Sequence, residues 1–156
     1  MNLVSKAIDL DLLRWKDTLE FTQRDNKVFV KDIIRKKYFM LQPEEFVRQL
    51  IVMWLINDCG IHRNRIQVEK AIDVHGTMKR FDIVVYDQAI LPKILIECKS
   101  ADVKIDQSTF DQIALYNMAL SAPYLVLSNG LHSYIAKIDH DNQSYHFYDG
   151  VPKWEW

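Results

Sequence analysis

Helical and extended patterns follow one another along this chain in the order helix, three strands, helix, two or three strands, and that order constrains its fold most. Pro43 suits a first helical position, and Glu44 and Glu45 favour the positive end of a helix dipole. Phe46, Val47, Leu50, Ile51, Trp54 and Leu55 then recur at helical spacing, which predicts a helix from Pro43 to about Asp58, stopped by Gly60. Three extended candidates come next, Arg65 to Asp73, Arg80 to Tyr86 and Lys93 to Lys99. They are separated by His75-Gly76 and Asp87-Gln88-Ala89, the pattern of a β-meander. No Gly or Pro falls between Asp106 and Ser121, where Phe110, Ile113, Ala114 and Met118 return to helical spacing, and Pro123 marks the exit. Tyr124 to Leu127, Leu131 to Ile138 and Tyr145 to Tyr148 read as further strands, the first two joined through Asn129-Gly130. Ahead of all these, Phe21 to Val30 reads as two short extended pieces around the turn pair Asp25-Asn26, and residues 1–20 show no clean periodicity. The expected architecture is a three-layer α/β domain with a central mixed sheet of about five strands flanked by the two helices.

At 156 residues the chain fits one domain, with an extension over 1–20 and a C-terminal strand and tail over 140–156. Apolar residues make up 49% and charged residues 26%, which excludes disorder and fibrous repeats as the default. Cys59 and Cys98, in a chain without a leader pattern, argue against a secreted disulfide scaffold and for a cytoplasmic protein. The longest uncharged stretch, Gln112 to Ala136, contains Asn117, Ser121, Pro123, Asn129 and Gly130 and does not read as a membrane span. The five histidines have no zinc-ligand spacing with either cysteine.

Net charge is −1, but it is unevenly spread. Arg24 to Arg80 holds 12 Lys and Arg against 7 Asp and Glu, while Phe81 to Trp156 holds 5 against 10. A basic half suits an anionic partner such as a nucleic-acid backbone, and an acidic half suits a metal ion or a solvated surface. Arg35, Lys36, Lys37, Arg48, Lys79 and Arg80 are the candidate phosphate contacts.

The chemistry-bearing pattern lies at the strand ends. Ile94-Leu95-Ile96 runs into Glu97-Cys98-Lys99, so strand alternation puts Glu97 and Lys99 on one face and Cys98 on the other, where it reads as a core side chain. One strand earlier, Asp82 precedes Ile83-Val84-Val85, and hairpin pairing would bring Asp82 beside Glu97. Two carboxylates and a backbone carbonyl, that of Cys98, suit a hard cation such as Mg²⁺ or Mn²⁺, which lowers the pKa of bound water and polarises a phosphodiester. A lysine ammonium beside them would orient the water or balance developing charge. Acid-x-Lys triplets are common by chance, about two being expected here. Of the three present, Asp25-Asn26-Lys27 sits in a turn and Asp102-Val103-Lys104 lies past the strand, which leaves Glu97-Cys98-Lys99 as the one with an acid in the preceding strand. A plain surface ion pair would produce the same triplet.

Asp82, then Glu97-x-Lys99 after 14 intervening residues, with a Glu-bearing helix before and Gln112-Ile113-Ala114-Leu115-Tyr116 after, resembles the PD-(D/E)XK nuclease superfamily. The closest likeness is to the N-terminal nuclease domain of type I restriction enzyme R subunits. It rests on Arg35-Lys36-Lys37, Leu41 to Gln49, Lys79 to Asp82, Glu97 to Lys99, Asp111 to Asn117 and Ser128-Asn129-Gly130, and spans roughly 21–139. The resemblance implies a restriction-endonuclease-like fold and Mg²⁺-dependent DNA cleavage. It makes Asp82 and Glu97 metal ligands, Lys99 the catalytic lysine, Glu44 or Glu45 the helix carboxylate, and Gln112 with Tyr116 an accessory pair. On a helical wheel Glu44 lies nearer the stripe of Val47, Ile51 and Leu55, which favours it as the inward acid. Phe81 stands where the superfamily name has proline, and no Gly-x4-Gly-Lys-Ser/Thr loop is present, so an ATP-driven motor is not implied. One site cuts one strand, so duplex cleavage would need a second copy or a partner subunit. A non-catalytic DNA-binding or protein-assembly module with the same fold is the other reading.

Overall fold

The computed structural model describes residues 3–156. Short 3-10 turns at Leu3–Lys6 and Leu12–Thr18 lead into strands β1 (Phe21–Arg24), β2 (Lys27–Asp32) and β3 (Lys37–Met40). Helix α1 (Pro43–Asn57) follows, and a 3-10 turn at Arg63–Arg65 precedes β4 (Ile66–Val74), β5 (Thr77–Tyr86) and β6 (Pro92–Cys98). Helix α2 (Gln107–Leu120) and strands β7 (Tyr124–Ser128), β8 (Ser133–Asp139) and β9 (Ser144–Phe147) complete the chain.

The predicted meander is present as β4-β5-β6, and the main sheet continues through β7, β8 and β9 to six strands, one more than expected. Neighbours are antiparallel except β6 and β7, which run parallel because α2 carries the chain back between them. The apolar runs at the centre of this sheet are buried on both faces. Ile83, Val85, Ile94, Ile96 and Val126 pack with α1, whereas Val84, Leu95, Leu125 and Leu127 pack with Phe110 and Ala114 of α2. The arrangement is therefore three layers, α/β, with a mixed sheet between helices.

Pro43 stands in the first turn of α1 after an extended Gln42, as its fixed φ favours. Every residue from Val47 to Leu55 is buried, because α1 is covered on its second side by the N-terminal segment around Leu12 and Leu19. The stretch around the Leu12–Thr18 turn thus covers a helix, in a turn too short to show a helical repeat. The β1–β2 hairpin turns through Asp25 and Asn26, both at positive φ, as a two-residue primed turn requires. β3, a strand without a marked sequence pattern, pairs with β2 to give a separate three-stranded sheet. β8 starts at Ser133 rather than Leu131, since the Asn129 side chain accepts the Leu131 and His132 N–H groups and holds them in the turn. Gly130 in that turn lies at φ 91°, where an added Cβ would come within 3.2 Å of Val47 of α1. Trp154 of the tail closes edge-on over Trp54 and Tyr124, and Cys98 is buried in the α1 core. Among the described residues no helix is long and apolar enough to cross a membrane.

Candidate active site

The middle of β5 and the end of β6 bring the expected acids together. Their register pairs Ile83 with Ile96, which sets Asp82 and Glu97 one step further on, next to each other. The backbone N–H of Cys98 donates to Asp82 Oδ2 at 2.8 Å, so Asp82 is tied to the strand that carries Glu97. Glu97 and Lys99 line a cleft of about 170 Å³ with Lys79, Arg80, Gln112 and Tyr116. Cys98, between them, faces the opposite layer, as strand alternation dictates. Gln112 and Tyr116 reach the cleft from one face of α2, and Lys79 Nζ sits 3.3 Å from the centroid of the Tyr116 ring.

Two carboxylates held this close repel. Burial pushes the Glu97 carboxyl up, the Asp82 charge and a hydrogen bond with Asp82 push it further, and Lys99 and Lys79 oppose the rise; the result is a pKa of about 9. Glu44 is raised by burial and by Asp82, and held down by Arg48 and Lys99, so its carboxylate shares the field of the cleft acids.

The helix acids divide their roles differently from the sequence expectation. Glu45, not Glu44, is the inward one: its side chain is 8% exposed against 48% for Glu44. Glu45 is fully engaged, accepting from Arg35 Nη2 at 2.7 Å, Arg48 Nη1 at 2.9 Å and Gln49 Nε2 at 3.2 Å. The wheel argument failed because α1 is buried all round, so nearness to one apolar stripe does not define its inside. Glu44 remains the acid on the Asp82 and Lys99 side.

Arg48 and Arg35 are corrections to the expected basic surface. Arg48 is 7% exposed, with Nη2 at 2.8 Å from Glu69 Oε1 and 2.9 Å from Asp82 Oδ1. Its pKa is raised because hydrogen bonds to Asp82 and Glu45 outweigh the burial that would lower it. Arg35 lies between Asp32 and Glu45, at 2.7 Å from each, with its guanidinium 3.5 Å from the centroid of Phe39. Both arginines are held by carboxylates, Arg48 buried and Arg35 half-buried, rather than standing free on a basic surface. Lys36, Lys37 and Arg80 are exposed, and Lys79 is half-buried against Tyr116.

Glu69 of β4 is a site residue that sequence reasoning missed. It stands opposite Asp82 in the β4–β5 register and adopts φ 55°, a left-handed conformation that costs a non-glycine residue about 1–2 kcal/mol. Around it both strands change face. Ile66, Val68, Ile83 and Val85 belong to the α1 core, whereas Ile72, Val74 and Phe81 turn to the α2 core, although strict alternation would keep each set on one side. This local twist aims Asp82 and Glu69 at Arg48. No acid-x-Lys pattern or apolar period reveals it.

The donor set fits a hard divalent cation in part. Asp82 and Glu97 offer oxygen atoms whose mutual repulsion a cation would relieve, and Glu44 lies in the same field. Among the described residues no group of three or more His, Cys, Asp or Glu is already gathered as a metal cage. An ion there would complete its shell with water and backbone oxygen.

A search of curated proteins finds no match. The profile described as type I restriction enzyme R protein N terminus matches residues 43–152, from the first residue of α1 into the tail, and leaves β1–β3 outside. With that match over most of its length and the three-layer fold above, the chain belongs to the type I restriction enzyme R protein N-terminus family.

Proposed function

We propose that this chain is a metal-dependent endodeoxyribonuclease that hydrolyses DNA phosphodiester bonds at the cleft between β5, β6 and α2. The observation that carries this reading is the meeting of Glu97, Lys99, Gln112 and Tyr116 in one cleft, with Asp82 hydrogen-bonded beside Glu97. Asp82 and Glu97 would hold Mg²⁺ or Mn²⁺, with the Cys98 carbonyl and Glu44 as further oxygen donors. When bound, the ion lowers the pKa of a water and polarises the phosphodiester. Lys99 holds its ammonium where it can orient the attacking water and balance charge on the phosphorane. Gln112 donates an amide to a phosphate oxygen, and Tyr116 holds Lys79 over its ring at the cleft wall. Lys36, Lys37, Lys79 and Arg80 neutralise the DNA backbone.

Nicking of supercoiled plasmid tests this reading. The wild type should nick with Mg²⁺ or Mn²⁺ and stop on chelation, and Glu97→Gln should not nick. Metal-independent nicking, or nicking equal in Glu97→Gln, would overturn it. A folded protein that binds DNA without nicking under any divalent cation would favour the non-catalytic module instead.

A further inference from the structure

The proposed reaction gives Arg48 no role, yet the fold commits much to it. Its guanidinium bridges α1 to β4 and β5, with Nη1 at 2.9 Å from Glu45 Oε2 and Nη2 shared between Glu69 and Asp82 at 2.8 and 2.9 Å. Glu69 reaches it from a left-handed backbone, so strain is spent to complete the contact. The contact also engages both oxygens of Asp82: Oδ2 takes the Cys98 N–H and Oδ1 takes Arg48.

We propose that Arg48 is a resident counter-cation, which orients Asp82 while no divalent ion is bound and competes with that ion for Asp82 Oδ1. The inference rests on the metal-binding reading of Asp82 and Glu97. A divalent ion seated on Asp82 lies beside the guanidinium that already holds Oδ1 at 2.9 Å, and the two positive charges repel at short range where solvent screens little. Arg48 is thus a positioning residue whose charge sets a lower metal affinity than the carboxylates alone would give. A purely structural clamp makes a different forecast, since loss of the clamp would loosen Asp82 and weaken metal binding along with stability. The planar fork of arginine reaches Glu45, Glu69 and Asp82, with Glu44 at 3.7 Å, whereas a lysine supplies the charge without the geometry.

Calorimetric titration of Mn²⁺ into metal-free protein separates these cases, using wild type, Arg48→Met, Arg48→Lys and Glu97→Gln, each checked for folding by circular dichroism. Arg48→Met should bind Mn²⁺ at least tenfold more tightly than wild type, and Arg48→Lys should stay within about threefold of it. Arg48→Gln, which keeps an amide donor for the buried carboxylates, serves the same comparison should the methionine variant unfold. Equal or weaker Mn²⁺ binding by a folded neutral variant would overturn the counter-cation role while leaving the nuclease reading intact. Mn²⁺ binding by wild type that Glu97→Gln does not diminish would overturn the metal site itself, and the inference with it.

Discussion

The backbone N–H of Cys98 donates to Asp82 Oδ2 at 2.8 Å, so Asp82 is held by the strand that carries Glu97. The bond fixes Asp82 beside Glu97 before any ligand arrives, and burial together with the neighbouring Asp82 charge raises the pKa of Glu97. Sites that bind charge accept such repulsion when a ligand of opposite sign relieves it.

Asp82→Asn and Glu97→Gln should each reduce metal-dependent nicking by about a hundredfold or more and leave the fold intact. The amides keep the shape of the carboxylates, so Asp82→Asn can still accept the Cys98 N–H. Both Asp82→Asn and Asp82→Ala remove one carboxylate partner from buried Arg48, so Glu97→Gln is the more informative change. Nicking assays on supercoiled plasmid, read against circular dichroism spectra, check this.

The exposed cations make a separate claim. Neutralising Lys36, Lys37 and Arg80 together should weaken DNA binding and flatten the dependence of log affinity on log salt by about two to three units of slope. Fluorescence anisotropy across a salt series measures it. An unchanged slope would place the DNA-binding surface elsewhere.

Much of this was legible in the sequence, for identifiable reasons. Ile94-Leu95-Ile96 and Tyr124 to Leu127 are central strands buried on both faces, so they read as continuous apolar runs. Pro43 and the stretch from Asp106 to Ser121 mark helices through local chemistry that tertiary packing does not override; Asp106 caps α2 by accepting from the Thr109 N–H. Gln112 and Tyr116 sit one helical turn apart, so their common face follows from spacing alone. The far side of the Arg48 network was not legible, because Glu69 and Asp82 lie 21 and 34 positions away and join the in-helix partners Glu44 and Glu45 only after α1 docks on the β4–β5 hairpin. Phe81 and Ile83 keep strict alternation in sequence, yet turn to opposite layers through the twist at Glu69, and a one-dimensional pattern does not record that twist.

Asp32 governs a pH dependence remote from the cleft. It is fully buried, and its pKa is lowered: burial alone would raise it, but hydrogen bonds from the Arg35 N–H, the Arg35 side chain and Gln49 outweigh that effect. A carboxylate with a depressed folded pKa contributes stability that is present above its unfolded value near 3.8 and lost as pH falls through the folded value. The unfolding midpoint should therefore fall steeply below about pH 4, and Asp32→Asn, though less stable at neutral pH, should show a shallower acid limb. Urea denaturation at pH 2.5 to 7 tests the difference in slope.

Lys99 separates chemistry from binding, and one comparison on it tests the account most directly. Single-turnover cleavage by wild type and Lys99→Ala is measured at saturating Mg²⁺, with metal and DNA affinities taken on the same samples. Lys99→Ala should retain metal binding and most DNA affinity while cleavage falls by about a hundredfold or more, as for other lost transition-state donors. Equal cleavage rates in the two proteins, with at most about 1 kcal/mol of lost stability, would reduce Lys99 to a partner of Glu97 in a surface ion pair and contradict the assignment of this cleft as the nuclease centre.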